Sequence, residues 1–276
     1  MRLLITNDDG VHSPGLAALA EVAAEFGEVH VVAPDAEQSS MSHAITASRP
    51  LLYRPARIAS SDAYRVNGTP ADCVALGTDR WSPVDVVLSG INLGFNIGNA
   101  IWHSGTLAAA KQAALFGVRG IALSSPGDDV DYAALKPWVR RVLGCVLADT
   151  SLRLVNVNIP REPRGMIWTH VSVRLYDGHI VPMKDPYDRE VFWYAVKPVV
   201  ETESGTDRWA VERNWVSLSP LRLDLTDGDG LRRARANTPL DDARAHEEVD
   251  APAPESAVKQ VHRDEAQPAG GPARPQ

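Results

Sequence analysis

The chain's 276 residues are enough to bury a full hydrophobic core, and we expect one large domain. Its 35 Asp and Glu against 28 Lys and Arg give a formal net charge of -7, which argues against a polymeric nucleic acid as partner, because phosphate backbones are held by clustered Lys and Arg. Cys73 and Cys145 form no disulfide framework or metal-ligand spacing, and no apolar run has the length of a membrane span. The expectation is a soluble cytoplasmic protein with no membrane contact and both thiols buried as small apolar groups.

In chain order, the apolar run from Leu3 to Thr6 predicts a first strand that ends at Asn7-Asp8-Asp9-Gly10. A helix follows, with Ser13 as N-cap, Pro14 at its first position, Leu16, Leu19, Val22, Ala23 and Phe26 on one face, and Gly27 as its stop. Further runs of the buried parallel-strand type lie at Val29 to Ala33, Val84 to Ser89, Gly120 to Ser124 and Leu154 to Ile159. Helical patterns at Leu107 to Phe116 and Tyr132 to Leu147 fall between them, so the alternation reads as an α/β fold with a doubly wound, mostly parallel sheet. Beyond Pro160 the pattern shortens to alternating stretches at Trp168 to Leu175, Glu190 to Val196 and Trp215 to Leu225, broken by Asp-Gly and Asp-Pro turns. These predict a C-terminal β-hairpin extension over residues 165–225 of a domain spanning 1–225. Residues 226–276, rich in Ala, Pro, Asp, Glu and Arg and poor in large apolar side chains, are expected to be a disordered tail.

The first strand exit carries the chemistry. On a continuing strand Asp8 and Asp9 would point to opposite faces, so both serve one site only if the backbone turns there, which Gly10 permits. Two carboxylates held so close repel each other, and a divalent cation relieves that repulsion. Two other strand exits bear polar loops: Asp35 with Gln38-Ser39-Ser40-Met41-Ser42-His43, and Asn92-Leu93-Gly94-Phe95-Asn96-Ile97-Gly98. Open α/β sheets bind ligands at the carboxyl ends of their strands, so topology brings these loops together. His103-Ser104-Gly105-Thr106 opens the next predicted helix, where exposed N-H groups, hydroxyls and the positive end of the dipole make an anion seat.

With these residues in place the chain resembles the SurE family, stationary-phase survival proteins that act as 5'(3')-nucleotidases. The resemblance rests on Asn7 to Gly10, the V-V-A-P-D run ending at Asp35 with its following serine, Gly68 to Cys73, Ser89 to Gly98, Ser104 to Thr106, Gly205 to Asp207 and Val216 to Leu221. It implies a Rossmann-like core and a divalent metal held at Asp8, Asp9, Ser39 and Asn92. It also implies phosphate contacts from Asn96, Ser104, Gly105 and Thr106, and a homodimer or homotetramer joined partly by exchanged C-terminal elements. Many members carry a basic residue and then Ser-Gly where this chain has Gln38-Ser39-Ser40, and the tail has no counterpart in the family pattern.

The expected enzyme is therefore a 5'-nucleotidase that hydrolyses nucleoside monophosphates with one Mg²⁺ or Mn²⁺, with short polyphosphate as a second substrate class. All-oxygen ligands suit these hard cations, and intrinsic affinity order favours Mn²⁺. Asp8 and Asp9 are the catalytic candidates, either of them able to orient the attacking water. A dinucleotide-binding module is the main rival, suggested by Asp35, but Gly10 to Gly15 lacks the G-x-G-x-x-G turn. Aspartyl-phosphate chemistry wants D-x-D rather than adjacent acids, and no G-x-S-x-G surrounds Ser39 or Ser104.

Overall fold

The computed structural model describes residues 1–58, 61–173, 177–197 and 202–237. Residues 1–223 form one compact unit and 224–276 a second. In the first, β1 (Arg2–Thr6), β2 (Glu28–Pro34), β3 (Tyr53–Ile58), β4 (Ser61–Val66), β5 (Val86–Leu93), β6 (Arg119–Ser125), β7 (Leu154–Asn158), β8 (Gly165–Trp168) and β11 (Trp215–Pro220) build a nine-stranded sheet. Its order is β3-β4-β2-β1-β5-β6-β7-β11-β8. The six central strands from β4 to β7 run parallel. β3 pairs antiparallel with β4 and β11 with β7, while β8 is parallel to β11.

The helices are α1 (Pro14–Ala23), α2 (Pro70–Arg80), α3 (Gly105–Leu115), α4 (Tyr132–Ala148) and the short α5 (Asp207–Glu212). Strand alternation explains how they cover the sheet. Leu3 and Ile5 of β1 pack with Leu16 and Leu19 of α1 and Val139 and Leu143 of α4, whereas Leu4 packs with Cys73 and Val74 of α2 and Ala109 and Ala113 of α3. Both faces are therefore buried, which is why the central strands read as unbroken apolar runs. Chain order reverses between β1 and β5, and that switch point sets the Asp8-Asp9 loop beside the Asn92 loop.

The structure departs from the sequence reading in several places. The β3-β4 hairpin and α2 were not anticipated; β3 is short, polar and interrupted by Pro55, a pattern that edge strands tolerate. Helix α1 ends at Ala23 rather than Gly27. Its last turn gives way to reverse turns that bring Phe26 back to hydrogen-bond Ala23. In the C-terminal region only β9 (Asp177–Lys184) and β10 (Glu190–Lys197) form a separate two-stranded hairpin, whereas β8 and β11 belong to the main sheet. The strand expected over Trp168 to Leu175 stops at Trp168, and residues 174–176 lie outside the described set. Cys73 is buried, but Cys145 is exposed on α4, against expectation.

In the second unit, residues 228–237 form α6 (Gly228–Asn237) instead of the expected irregular tail. Asp227 starts it by accepting the N-H of Gly230 at 2.9 Å, Asp229 pairs with Arg232 within the helix, and Arg235 sits in its last turn. Composition alone missed these local charge and capping terms. The expected disorder of residues 238–276 falls outside the described residues.

Candidate active site

After Thr6 the chain leaves β1 through a turn. Asn7 Nδ2 donates to Gly10 O at 3.0 Å, Gly10 takes a φ of +98°, and Val11 N donates to Pro34 O of β2. The turn brings the two adjacent acids into one crevice. Asp8 is 4% exposed and accepts the Thr106 hydroxyl on Oδ1 at 2.6 Å; Asp9, half-buried, accepts the N-H of Leu93 on Oδ2 at 3.3 Å. Burial holds the Asp8 carboxyl above its ordinary range despite the Thr106 hydrogen bonds. Burial and then the Asp8 charge push Asp9 up to about 6, and Glu37 adds repulsion to both. Such a pair favours a cation.

The second loop is tied to this pair at several points. Gln38 N donates to Asp8 O at 2.7 Å, and the Ser39 hydroxyl donates to Glu37 Oε1 at 2.6 Å. Ser42 donates its N-H to His103 O and its hydroxyl to Trp102 O, while His43 Nε2 meets Gln112 Oε1 of α3 at 2.9 Å. From the third loop Asn92 donates its Nδ2 to Gly94 O at 2.6 Å, which orients the amide and leaves its Oδ1 free of that contact. Here β5 shifts register against β6 between Ser89 and Asn92, so the strand bends as it reaches the site.

A buried polar chain supports these loops from behind. Asn156 and Asn158 of β7 donate to Asn96 O at 2.7 and 3.1 Å, and Asn96 N donates to Asn158 Oδ1. Asn96 Nδ2 donates to Ser124 Oγ and Thr106 Oγ1, and Thr106 passes its own proton to Asp8. Asp207, fully buried at the start of α5, accepts the N-H groups of Gly98 at 2.9 Å, Ser172 at 3.0 Å and Arg208 at 2.7 Å, which anchors the far end of the Asn92 loop. At the start of α3, Ser104 Oγ accepts the N-H of Leu107, and a Cβ on Gly105 would stand 2.9 Å from Asp8 Cβ. Only glycine lets the helix start approach the acid so closely.

These elements surround a cleft of about 780 Å³. Asp8, Ser39, Asn92, Asn96 and Ser104 line it together with Leu93, Phe95, His103 and Tyr194 of β10. Asp9 and the buried Thr106 stand next to that lining rather than in it, and neither His12 nor His43 contributes to it. A groove of about 830 Å³ beside α1, α4, β2 and β4 is as large, but none of the residues lining it belongs to the three loops. Among the described residues no three His, Cys, Asp or Glu side chains converge as a metal cage. A cation at Asp8 and Asp9 would need neutral oxygens as well, and Ser39 and Asn92, which line the cleft with Asp8, could provide them. Asn7 Oδ1 is buried and makes no hydrogen bond. The residues fit a hard, oxygen-liganded ion.

Asn156, Asn158, Glu37 and Tyr194 were not picked out from sequence, and Asp207 was noted only as part of a motif. The two asparagines did leave a signal: polar residues alternate with valines in an otherwise apolar parallel strand, which places both on one face. Tyr194 left none, because an aromatic residue in a hairpin carries no mark of which cleft it borders.

The sequence profile of the family described as Survival protein SurE matches residues 3–178. Among curated relatives, 5'-nucleotidase SurE 1 of Thermus thermophilus is 43% identical over 235 residues, covering 82% of this chain and 93% of its own length. The 5'-nucleotidase SurE of Geotalea uraniireducens is 42% identical over 245 residues, covering 84% and 96%. Among solved structures the SurE protein of Aquifex aeolicus superposes with a TM-score of 0.75 at 35% identity, covering 86% of this chain and 99% of that one. With this agreement in sequence and fold over most of its length, the chain belongs to the SurE family.

Proposed function

We propose that the protein is a divalent-metal-dependent 5'-nucleotidase, which hydrolyses nucleoside monophosphates to nucleoside and phosphate. One observation carries this reading: of two adjacent carboxylates, both held above their ordinary range, Asp8 lines the cleft against the N-terminus of α3 and Asp9 stands next to that lining. Its relatives' names add weight, since proteins more than 40% identical to this chain are described as 5'-nucleotidases.

In this reading Asp8, Asp9, Ser39 and Asn92 hold one Mg²⁺ or Mn²⁺, which supplies Lewis-acid polarisation of the phosphoryl group. The chain's own groups do the rest. The Ser104 hydroxyl and the N-H groups of Gly105 and Thr106, at the positive end of α3, hold the phosphate and the charge that grows on its oxygens. Asn96 and Thr106 complete the seat; in the structure the Thr106 hydroxyl is engaged with Asp8 and must exchange that partner to reach an anion. Asp9, nearer to solvent than Asp8, orients the attacking water and accepts its proton as the bond from phosphorus to the ribose oxygen breaks. The departing ribose oxygen takes up a proton, from the protonated Asp9 or from solvent, and leaves as the nucleoside alcohol, so Asp9 ends the cycle ionised. Short polyphosphate fits the same seat without needing the outer part of the cleft.

A homodimer or homotetramer belongs to the same proposal. Phe192, Trp193, Ile180 and Met183 are exposed on the β9-β10 hairpin, which lies outside the nine-stranded sheet, and two-stranded hairpins need packing partners. Unpaired Cys73 and Cys145 favour a reducing, cytoplasmic location. The test is phosphate release from a panel of nucleoside monophosphates and other phosphomonoesters, each with Mg²⁺, Mn²⁺ or chelator. Metal-dependent release of nucleoside and phosphate is expected. Turnover that chelator leaves untouched would overturn the metal assignment.

A further inference from the structure

We infer that Tyr194 of β10, together with Phe95, forms a base-stacking subsite of the cleft. The inference deepens the nucleotidase reading and rests on it. The lining of the cleft combines two kinds of group. Asp8, Ser39, Asn92, Asn96 and Ser104 supply oxygens and hydrogen-bond donors, while Leu93, Phe95 and Tyr194 supply apolar and aromatic surface. A phosphate seated at Ser104 leaves a nucleoside to extend along the remaining lining, where Phe95 and Tyr194 offer the carbocyclic aromatic faces beside the imidazole of His103.

Tyr194 is suited to this role in two ways. The residue is 65% exposed, so a base that covers its ring removes apolar surface from water at little cost in ordering, since the side chain has only two rotatable torsions. Its position is also fixed by the ladder: Tyr194 pairs with Ile180, and neighbouring Trp193, which pairs with Val181, points to the opposite hairpin face. Every nucleobase has a π face, so a stacking wall accepts all four bases and discriminates by area rather than by edge pattern, with purines held more tightly. The hairpin thereby acts as a specificity element for nucleotides against phosphomonoesters that lack a base.

The test compares 5'-AMP with ribose 5-phosphate as substrates of the full-length protein at saturating metal. Both present the same phosphate on the same ribose carbon, and only one carries a base. Tyr194→Ala is expected to raise the KM for AMP at least fivefold and up to about a hundredfold, the range that loss of one base-aromatic stack produces. The KM for ribose 5-phosphate should stay within about twofold. Tyr194→Phe should retain both values, because stacking does not use the hydroxyl, and Phe95→Leu should shift AMP in the same direction as Tyr194→Ala. An unchanged KM for AMP in Tyr194→Ala overturns the subsite. So does an equal change for both substrates, with or without a shift in oligomeric state on gel filtration, because it would give Tyr194 a structural role only. Wild-type protein that turns over neither substrate with any metal overturns the nucleotidase reading, and the subsite with it. Wild-type protein active on both, with a variant unaffected on AMP, leaves that reading standing and removes only the subsite.

Discussion

Two strand-to-helix turns of this sheet carry acids, and they treat them in opposite ways. At the entry to α2, Asp72 accepts the N-H of Thr46 on Oδ1 at 2.9 Å and that of Thr69 on Oδ2 at 2.8 Å, while Thr69 Oγ1 accepts the Asp72 N-H at 3.2 Å. Burial alone would raise this carboxyl, but the hydrogen bonds from Thr46 and Thr69 outweigh it and hold the group below its ordinary range. At the entry to α1, Ser13 makes no side-chain cap; burial outweighs the hydrogen bonds that Asp8 accepts, and Asp9, with the N-H of Leu93, meets burial and then the Asp8 charge, so both are pushed up. Both turns contain glycine and put Pro at the start of the helix. The difference is which influence wins at each carboxylate, hydrogen bonds at Asp72 and burial with like charge at the pair. An acid whose hydrogen bonds prevail caps a helix and needs nothing more; a pair for which burial prevails is stable only with a proton or a cation.

The sharpest way to break this contrast is Asp9→Asn, which removes charge from the pair at nearly constant size. Turnover of nucleoside monophosphate should fall by roughly a thousandfold, the scale of losing Lewis-acid assistance worth several kcal/mol. The folded state should survive, as circular dichroism can check. Near-wild-type kcat in this variant at saturating Mn²⁺ would detach the pair from catalysis.

Thr106→Val comes next, because its hydroxyl links the anion seat to Asp8. Removing a hydrogen bond to a charged group costs about 1.5 to 3 kcal/mol, which predicts a tenfold to hundredfold loss in turnover. If the hydroxyl also reaches phosphate, competitive inhibition by inorganic phosphate should weaken in parallel. Reduced turnover with an unchanged inhibition constant assigns the hydroxyl to Asp8 alone.

Asp72→Asn tests the other turn. An amide keeps one acceptor but sets an NH₂ group against a backbone N-H, so the variant should lose about 1 to 2 kcal/mol of stability. Its activity per folded molecule should stay within about twofold of wild type. A large catalytic loss with normal melting would show that the Asp72 turn belongs to the site.

The same contrast explains what could be read from the sequence and what could not. The central strands other than β4, and the helices α1, α3 and α4, were legible because burial on both faces imposes apolar periodicity on contiguous residues. The Asp8-Asp9 turn was legible because Gly10 and Pro14 punctuate it. The capping box Thr69-Asp72 was present in the sequence but read only as a family motif, and α2 was missed. Its mixed composition, with Asp79 and Arg80 at its end, hides the apolar face formed by Cys73 and Val74. Support from Asn156, Asn158 and Asp207 reaches the site across distances of 60 residues or more in the chain, where no local pattern points to the partner. Neither did composition distinguish an exposed Cys145 from a buried Cys73.

The smallest expected effect is the pH dependence of stability in the metal-free protein, where the two turns should act with opposite sign. Asp9 has a folded-state pKa of about 6 against an ordinary 3.8, so the native state binds more protons than the unfolded chain between those values. Its contribution to stability is therefore full below pH 3.8 and fades as pH rises through about 6. Asp9→Asn should match wild type near pH 3.5 and exceed it above pH 6, by on the order of 1 kcal/mol once solvent screening of a half-exposed carboxylate is allowed for. Asp72 has a lowered folded-state pKa, so its contribution is complete above 3.8 and is lost as pH falls through the lower value. The deficit of Asp72→Asn should be constant at neutral pH and shrink only in that acidic window. Urea midpoints measured across this range in chelator give both difference curves, one rising and one falling as pH is lowered. Added Mn²⁺ should reverse the advantage of Asp9→Asn, because a cation held by the intact pair stabilises only the wild type in proportion to its binding. Curves of the same sign, or an Asp9→Asn advantage that Mn²⁺ leaves in place, would mean that the two turns do not differ in the way their hydrogen bonds indicate.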